Sequence, residues 1–318
     1  MPRHDYRRKP PFCPNPDCDS QAHPGTWRYK KKGFFDRESA PQRIQRYVCR
    51  CCGRNFSAQT FSPTYWLKRP DLLHRLFYRL LGCSGLRQIA RECGVAHSSV
   101  QHQAERLGRH CLLVHEALRP RGAPREPLVL DGCRSFEFGQ YWPVDLNLLV
   151  GVSHYVYGFN DAELRRSGTM TPYQRRQRAR LERRFGRADA QATRRAVTEL
   201  VARIVPPGGA ARIDSDEHAA YGPSLRSLPD RRVEHRRTSS RGRRDSRNPL
   251  FPVNLADLLL RHCGANHKRE TIAFSKRRQG ALYRAAIWVV WRNYVKSRSE
   301  RRRDSPPAVA LGLIDRAY

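Results

Sequence analysis

The chain has 318 residues, with 61 Lys and Arg against 29 Asp and Glu, a formal net charge of +32 and 39% hydrophobic residues. That hydrophobic share can build a core and excludes global disorder; no run of about 18 apolar residues exists, so no membrane span is expected, and the basic opening "MPRHDYRRKPPFC" lacks the apolar centre of a secretory signal. A positive excess on this scale calls for a polyanion, nucleic acid before an anionic membrane surface, and the expected location is the cytoplasm.

Five of the ten cysteines, Cys13, Cys18, Cys49, Cys51 and Cys52, fall at the start of the chain. "FCPNPDC" and "RYVCRCCGRNFS" form two pairs, Cys13 with Cys18 and Cys49 with Cys52, and leave Cys51 as a spare. A CxxC turn followed by Gly turns backbone N–H groups toward the thiolates, and two such pairs make a tetrahedral four-thiolate zinc site. The first pair is more widely spaced than the usual knuckle, and His23 is an alternative ligand. A short segment like this rarely folds without a staple. Residues 1–62 are therefore expected to form a zinc ribbon holding one structural Zn²⁺. Between the pairs, "TWRYKKKGFF" and "PQRIQRYVC" alternate basic and aromatic residues, as expected of a strand hairpin that touches phosphate or bases.

Residues 63–118 change to helical periodicity. "RPDLLHRLFYRLLGC" carries apolar residues at helical spacing, and Leu86, Ile89 and Ala90 form one face of the next helix. Gly94 marks a turn plugged by Val95, and Ser98 is placed to cap a second helix carrying Val100, Ala104 and Leu107. Helix, glycine turn and helix is the helix-turn-helix pattern. Ser99, His102, Gln103 and Arg106 are expected to face outward from the second helix, as residue types able to meet base edges or phosphates. "RPRGAPREP" (119–127) reads as a linker.

Residues 128–300 read as one mixed α/β domain, with 301–318 as a tail. "LVLDG", "VDLNLLVGVS" and "HYVYGF" are three strands. The second half of "LRRSGTMTPYQRRQRARLERRFGR" and all of "DAQATRRAVTELVARIV" are helices. "GGAARIDSDEHAAYG" is a short strand ending in acids. "RRVEHRRTSSRGRRDSRNP" reads as a basic, apolar-poor segment, and a terminal helical region runs from "VNLADLLLRHC" through "RETIAFSKRRQGALYRAAIWVVWRNY". Asp131 closes one strand, and Asp214 and Asp216 close another. Asn254, Asp257 and Arg261 share one helix face. Converging carboxylates demand a cation. Oxygen ligands suit two Mg²⁺ or Mn²⁺ ions, which serve phosphodiester chemistry.

The order of zinc ribbon, helix-turn-helix, "LDG", "SDEHAAY" and "HKRETIAFSK" resembles bacterial insertion-sequence transposases with a ribonuclease-H-like (DDE) catalytic domain, over nearly the whole chain. The resemblance implies metal-dependent cleavage and strand transfer of DNA at terminal inverted repeats. It maps the first catalytic aspartate onto Asp131 and the second onto Asp216, with Asp214 as the alternative. Glutamate is expected seven residues before Arg261, where this chain has Asn254; the third ligand is Asn254, or Asp257 one turn on, or the more distant Glu270. Asp131, Asp216 and Asp257 would hold the magnesium. Arg261 would contact terminal phosphates, and the basic segments Arg165–Arg187 and Arg231–Arg247 would grip backbone. The resemblance also implies a homodimer or larger assembly on double-stranded DNA, on a bacterial nucleoid. The absent glutamate keeps a non-catalytic DNA-binding protein open, and a structure-specific nuclease on the same fold is the other reading.

Overall fold

A computed structural model of the protein describes residues 9–38, 41–239, 241–299 and 304–318. The first eight residues of the basic opening, Ser240 in the second basic segment and residues 300–303 around the start of the tail lie outside the described residues. The chain divides into two compact units between Leu76 and Phe77.

The first unit is built on three antiparallel strands, β1 (Tyr29–Asp36), β2 (Arg43–Cys49) and β3 (Asn55–Ser57), preceded by a single helical turn, α1 (Asp19–Ala22). The basic–aromatic segments are the expected hairpin, β1 with β2. A register shift between Lys31 and Phe34 places Gly33 at φ 69°, a bulge conformation that favours glycine. The core is small: Cys13, Cys18, Tyr47, Cys49 and Phe56, with Trp27, Tyr29 and Phe61 packed on it. Only a handful of side chains is buried, and a unit of this size needs a staple to hold its fold.

The helical segment comprises α2 (Leu72–Leu81), α3 (Leu86–Cys93) and α4 (His97–Leu118). Gly94 ends α3 in the left-handed region at φ 61°, and the Val95 N–H donates back to the Ala90 carbonyl, so the glycine turn forms as expected. Ser98 does not cap α4. The helix starts one residue before it, at His97, with Ala96 as the capping residue. Gln103 does not face outward either. It lies in the buried stripe Val100, Gln103, Ala104, Leu107 and Cys111, because three residues on from Val100 is the same helix face. α4 is long and packs against α9 (Arg278–Val290). Gly108 makes that approach possible: a Cβ there would sit 2.3 Å from the Tyr283 Cβ. Further along α4, buried His115 bonds the Tyr157 carbonyl and the Tyr294 hydroxyl.

The sheet has five strands: β4 (Leu128–Phe136), β5 (Pro143–Gly151), β6 (Val156–Glu163), β7 (Ala210–Ser215) and β8 (Arg232–Arg237), in the order β6-β5-β4-β7-β8. The first three form an antiparallel meander, and β7 and β8 run parallel to β4. Helices α5 (Pro172–Phe185) and α6 (Ala192–Ile204) lie between β6 and β7, α7 (Tyr221–Arg226) between β7 and β8, and α8 (Phe251–Cys263) precedes α9; a last turn, α10 (Pro307–Ala310), lies in the tail. One face of the sheet packs Leu128, Leu130, Leu149 and Ile213 against Val197, Leu200 and Val201 of α6. The other face receives α8 over β4 and β5. The fold is mixed α/β, as the sequence pattern indicates.

Three features differ from the sequence reading. "RRVEHRR" forms a strand, β8. It is an edge strand whose exposed charged residues keep the edge soluble and hide its apolar content from a periodicity test. The terminal helical region is broken between Cys263 and Arg278 by an irregular loop. Asp131 is interior to its strand: β4 continues through Phe136 because β5 pairs with it along its whole length. Among the described residues, no helix is long and apolar enough to cross a membrane.

Candidate active site

β7 pairs with β4 only through Leu128–Leu130 against Ile213–Ser215. Asp131 and Asp216 are the next residues on the two parallel strands, at the point where the sheet splits. In-register residues of parallel strands point to the same face; Asp216 is the first residue beyond β7, where its carboxylate accepts the His218 N–H and acts on Asp131 at the level of charge. The helix α8 covers this face and carries Asn254, Asp257 and Arg261 at positions i, i+3 and i+7.

The electrostatics show that these acids sense one another. Asp131 is raised to about 6, by burial first and by Asp216 and Asp145 as well, against a backbone N–H from Gly132 that donates to Asp131 Oδ1 at 2.7 Å. Burial likewise raises Asp257 to about 8, with Asp131 and Asp145 adding repulsion and Arg261 offsetting part of it. Asp257 Oδ1 is buried with no hydrogen-bond partner. Buried Tyr221 adds a separate marker of convergence: burial raises its hydroxyl, and Asp131, Asp145, Asp216 and Asp257 all raise it further.

Asp145, which the sequence reading passed over, is a further acid coupled to the group by charge, although the pairing of Arg134 with Asp145 puts it on the Gly132 face of the sheet, opposite the face of Asp131. It lies on β5, is buried, and is raised by burial and by Asp216 against the pull of Arg134, His218 and Arg261. Its carboxylate packs on Gly132, where an added Cβ would lie 3.0 Å from it. The signal was available in "PVDLNLLVG": Asp145 and Asn147 are the polar residues, two apart, of a strand otherwise buried on both faces.

The other expected residues separate clearly. Asp214 is buried on β7 and held by Arg212 at 3.2 Å, so its charge is already matched. Asn254 is half-buried one turn before Asp257, and Glu270 is exposed on the loop beyond α8. Arg261 is tied down rather than free: it donates to the Arg134 carbonyl of β4 at 2.9 Å and to the His267 carbonyl at 3.2 Å. Arg244, from the second basic segment, acts on Asp131 at the level of charge. On α4, Ser99 and His102 are exposed and Arg106 is half-buried.

All the donors in the acidic group are oxygens, three of them are destabilised as anions, and one buried carboxylate oxygen lacks a partner. That set fits a hard divalent cation such as Mg²⁺ or Mn²⁺. It is looser than the cysteine cluster. Among the described residues, the only group of three or more His, Cys, Asp or Glu whose ligand atoms all lie within 4.8 Å of one another is Cys13, Cys18, Cys49 and Cys52.

That cysteine group could bind zinc. Cys13 Sγ lies 3.6 Å from Cys52 Sγ, and Cys18 Sγ lies 3.9 Å from Cys49 Sγ. A tetrahedron with Zn–S bonds of about 2.3 Å has S···S edges of about 3.8 Å. Burial pushes Cys49 up, but N–H groups of Cys52, Trp27 and Cys51 outweigh it and bring the thiol down to about 6; the Trp27 indole donates to Cys49 Sγ at 3.2 Å. Cys51 and His23 are exposed and stand outside the group.

No protein-family profile matches the sequence, and no curated protein matches it. One chain of the cryoEM structure of the simian T-cell lymphotropic virus intasome in complex with PP2A regulatory subunit B56 gamma is similar over 71% of this chain and 68% of that chain, at 11% identity and a TM-score of 0.26, a likeness too slight to carry weight for fold or function.

Proposed function

We propose that the protein is a DNA transposase with a ribonuclease-H-like catalytic domain, which cuts and joins DNA at the ends of an insertion sequence. What supports the reading is the charge coupling of Asp131 to Asp216 and of Asp257 to Asp131, beside the split between β4 and β7. The mixed sheet, with helices on both faces, is consistent with that domain type.

Asp131, Asp216 and Asp257 would hold Mg²⁺ or Mn²⁺, with Asn254 one turn before Asp257 on α8. Bound there, the ions supply Lewis acidity at the attacking and leaving oxygens of an in-line phosphoryl displacement. The chain's own part is positioning. The Gly132 N–H fixes one oxygen of Asp131. Arg261, anchored on two carbonyls, sets α8 against β4 and supplies the nearest fixed positive charge to Asp257. In this reading Arg261 acts through α8 and the carboxylates. The exposed arginines of α5 and of the loop after β8 give the DNA backbone a charged bed. The cysteine unit and α4 would recognise the inverted repeats, and two copies would hold the two ends.

The test is a nicking assay with Mg²⁺ or Mn²⁺ on DNA carrying the element's own ends. The parent is compared with Asp131→Ala, Asp216→Ala, Asp257→Ala and Asn254→Ala. Cutting at the ends by the parent, abolished in the first two variants, upholds the reading, and whichever of the last two is also dead identifies the third ligand. A second reading, a DNA-binding protein without catalysis, draws on Asn254 standing where a glutamate is expected and on the looseness of the acidic group. Specific binding of the ends with no cutting in either metal would favour it.

A further inference from the structure

A cleft of about 750 Å³ lies between the helix-turn-helix and the loop that breaks the terminal helices. One wall carries Arg87, Arg91 and His97 from α3 and the start of α4, and the other carries Lys268, Lys276 and Arg277. The cleft also includes Phe274 and Tyr283, and Ile272, which is 100% exposed. Arg87, Arg91, Lys268 and Arg277 are exposed, and among the described residues they form no ion pair. Elsewhere in the chain arginines commonly take a carboxylate, as Arg79 does with Glu92 and Arg165 with Glu182. Glu105, which takes a hydrogen bond from Gln101, is the carboxylate in the lining, so the cations outnumber it, and an excess of like charge on the lining favours an anion between them.

Size narrows the choice of anion. Clefts of roughly 300–1,000 Å³ enclose small-molecule-sized groups, whereas a duplex is far wider, its major groove alone measuring about 12 Å. A run of cations interleaved with aromatic and apolar side chains is the pattern that holds an unpaired strand, with phosphates on the charges and bases on the rings. The cleft is also tied to the acidic site. Phe274 packs on Phe136 with ring centroids 5.4 Å apart, and the Phe138 N–H donates to the Ser275 carbonyl at 3.0 Å. Phe136 ends β4, five residues from Asp131, or about 17 Å along the strand.

We infer that this cleft binds a short unpaired stretch of DNA strand and leads it from the helix-turn-helix toward the carboxylates. The inference rests on the proposed function for the choice of DNA and for the direction of the strand, while the binding itself is independent of cutting.

The experiment is fluorescence anisotropy with the full chain, zinc retained and no Mg²⁺ or Mn²⁺ added. The probes are a labelled 20-nucleotide single strand and the duplex of the same sequence, titrated at several salt concentrations. The cleft variant is Lys276→Gln with Arg277→Gln. The control is Arg194→Gln with Arg226→Gln on α6 and α7, an equal change of charge at exposed positions outside the segments proposed to grip DNA. Phe274→Ala tests stacking separately, and circular dichroism checks that each variant is folded. The cleft variant is expected to lose about tenfold or more in single-strand affinity, with the salt slope reduced by about 1.4, since each phosphate contact to a single strand contributes about 0.7. Its duplex affinity should change less than threefold. Equal losses in the cleft and control variants, or a duplex loss matching the single-strand loss, would overturn the inference. If the parent never cuts transposon ends yet the cleft variant shows the selective loss, the inference stands and the transposase reading fails. If the parent cuts and the loss is unselective, the inference alone fails.

Discussion

Asp257→Asn should stabilise the protein while destroying its activity. The folded chain holds the Asp257 proton up to about pH 8, whereas the carboxyl value without its folded neighbours is 3.8. A raised acid makes the folded state bind the extra proton between those two values, so stability falls as pH rises from about 4 to about 8. At 1.36 kcal/mol per pH unit, that span corresponds to about 5–6 kcal/mol of burial and repulsion carried by ionised Asp257. Local relaxation absorbs part of it, so the amide should gain on the order of 2–4 kcal/mol at pH 8.5 and close to nothing at pH 4. The assay is urea unfolding at both pH values with zinc retained, with and without Mn²⁺. Mn²⁺ should raise the stability of the parent by mass action and raise that of Asp257→Asn much less. A variant no more stable than the parent at pH 8.5, or one that gains as much from Mn²⁺, would show that Asp257 is an ordinary buried acid.

Gly132→Ala brings a Cβ to 3.0 Å from the Asp145 carboxylate and should cost about 1–3 kcal/mol; adding Asp145→Ala should recover most of the loss, as measured in a double-mutant cycle of urea midpoints. Gly108→Ala forces α4 away from α9, where the new Cβ would meet Tyr283 at 2.3 Å, and should lower the thermal midpoint by several degrees without changing zinc content. The purified chain should carry one zinc per molecule by atomic absorption; Cys49→Ser should lose it and alter the Trp27 fluorescence, while Cys51→Ser should keep it. Arg261→Gln removes the charge that offsets the elevation of Asp257 and should move the acidic limb of the nicking pH profile upward.

Local rules made the cysteine group, the β1–β2 hairpin, the glycine turn at Gly94 and the apolar strands legible from the sequence, because each rests on residues close together in the chain. The misses rest on long-range context. β8 is a strand because β7 offers it an edge, and its own side chains are those of a charged loop. Gln103 is buried because α9 lies along α4. Asp145 is accommodated because Gly132 on the neighbouring strand leaves room for its carboxylate, a dependence set by strand pairing between positions 13 apart. The acidic group itself was half legible: the residue types could be named, but the Arg212 ion pair that sets Asp214 apart from Asp216 is not readable from spacing.

That register supplies an internal comparison. Asp214 is as deeply placed as any acid in the chain, yet Arg212 lies beside it on the same strand face and matches its charge. Asp131 and Asp145 in the sheet, and Asp257 on α8, have their ionised forms disfavoured, although Arg134, Arg244 and Arg261 are near enough to act on them. A chain with 61 Lys and Arg has cations to spare, and its β7 strand shows how one is used to neutralise a buried carboxylate. If the acids around the split served only to hold the fold, replacing them with amides would improve it at little loss. On the proposed function the missing positive charge is a divalent ion held by these carboxylates, which is why the stability of Asp257→Asn and the nicking activity should move in opposite directions.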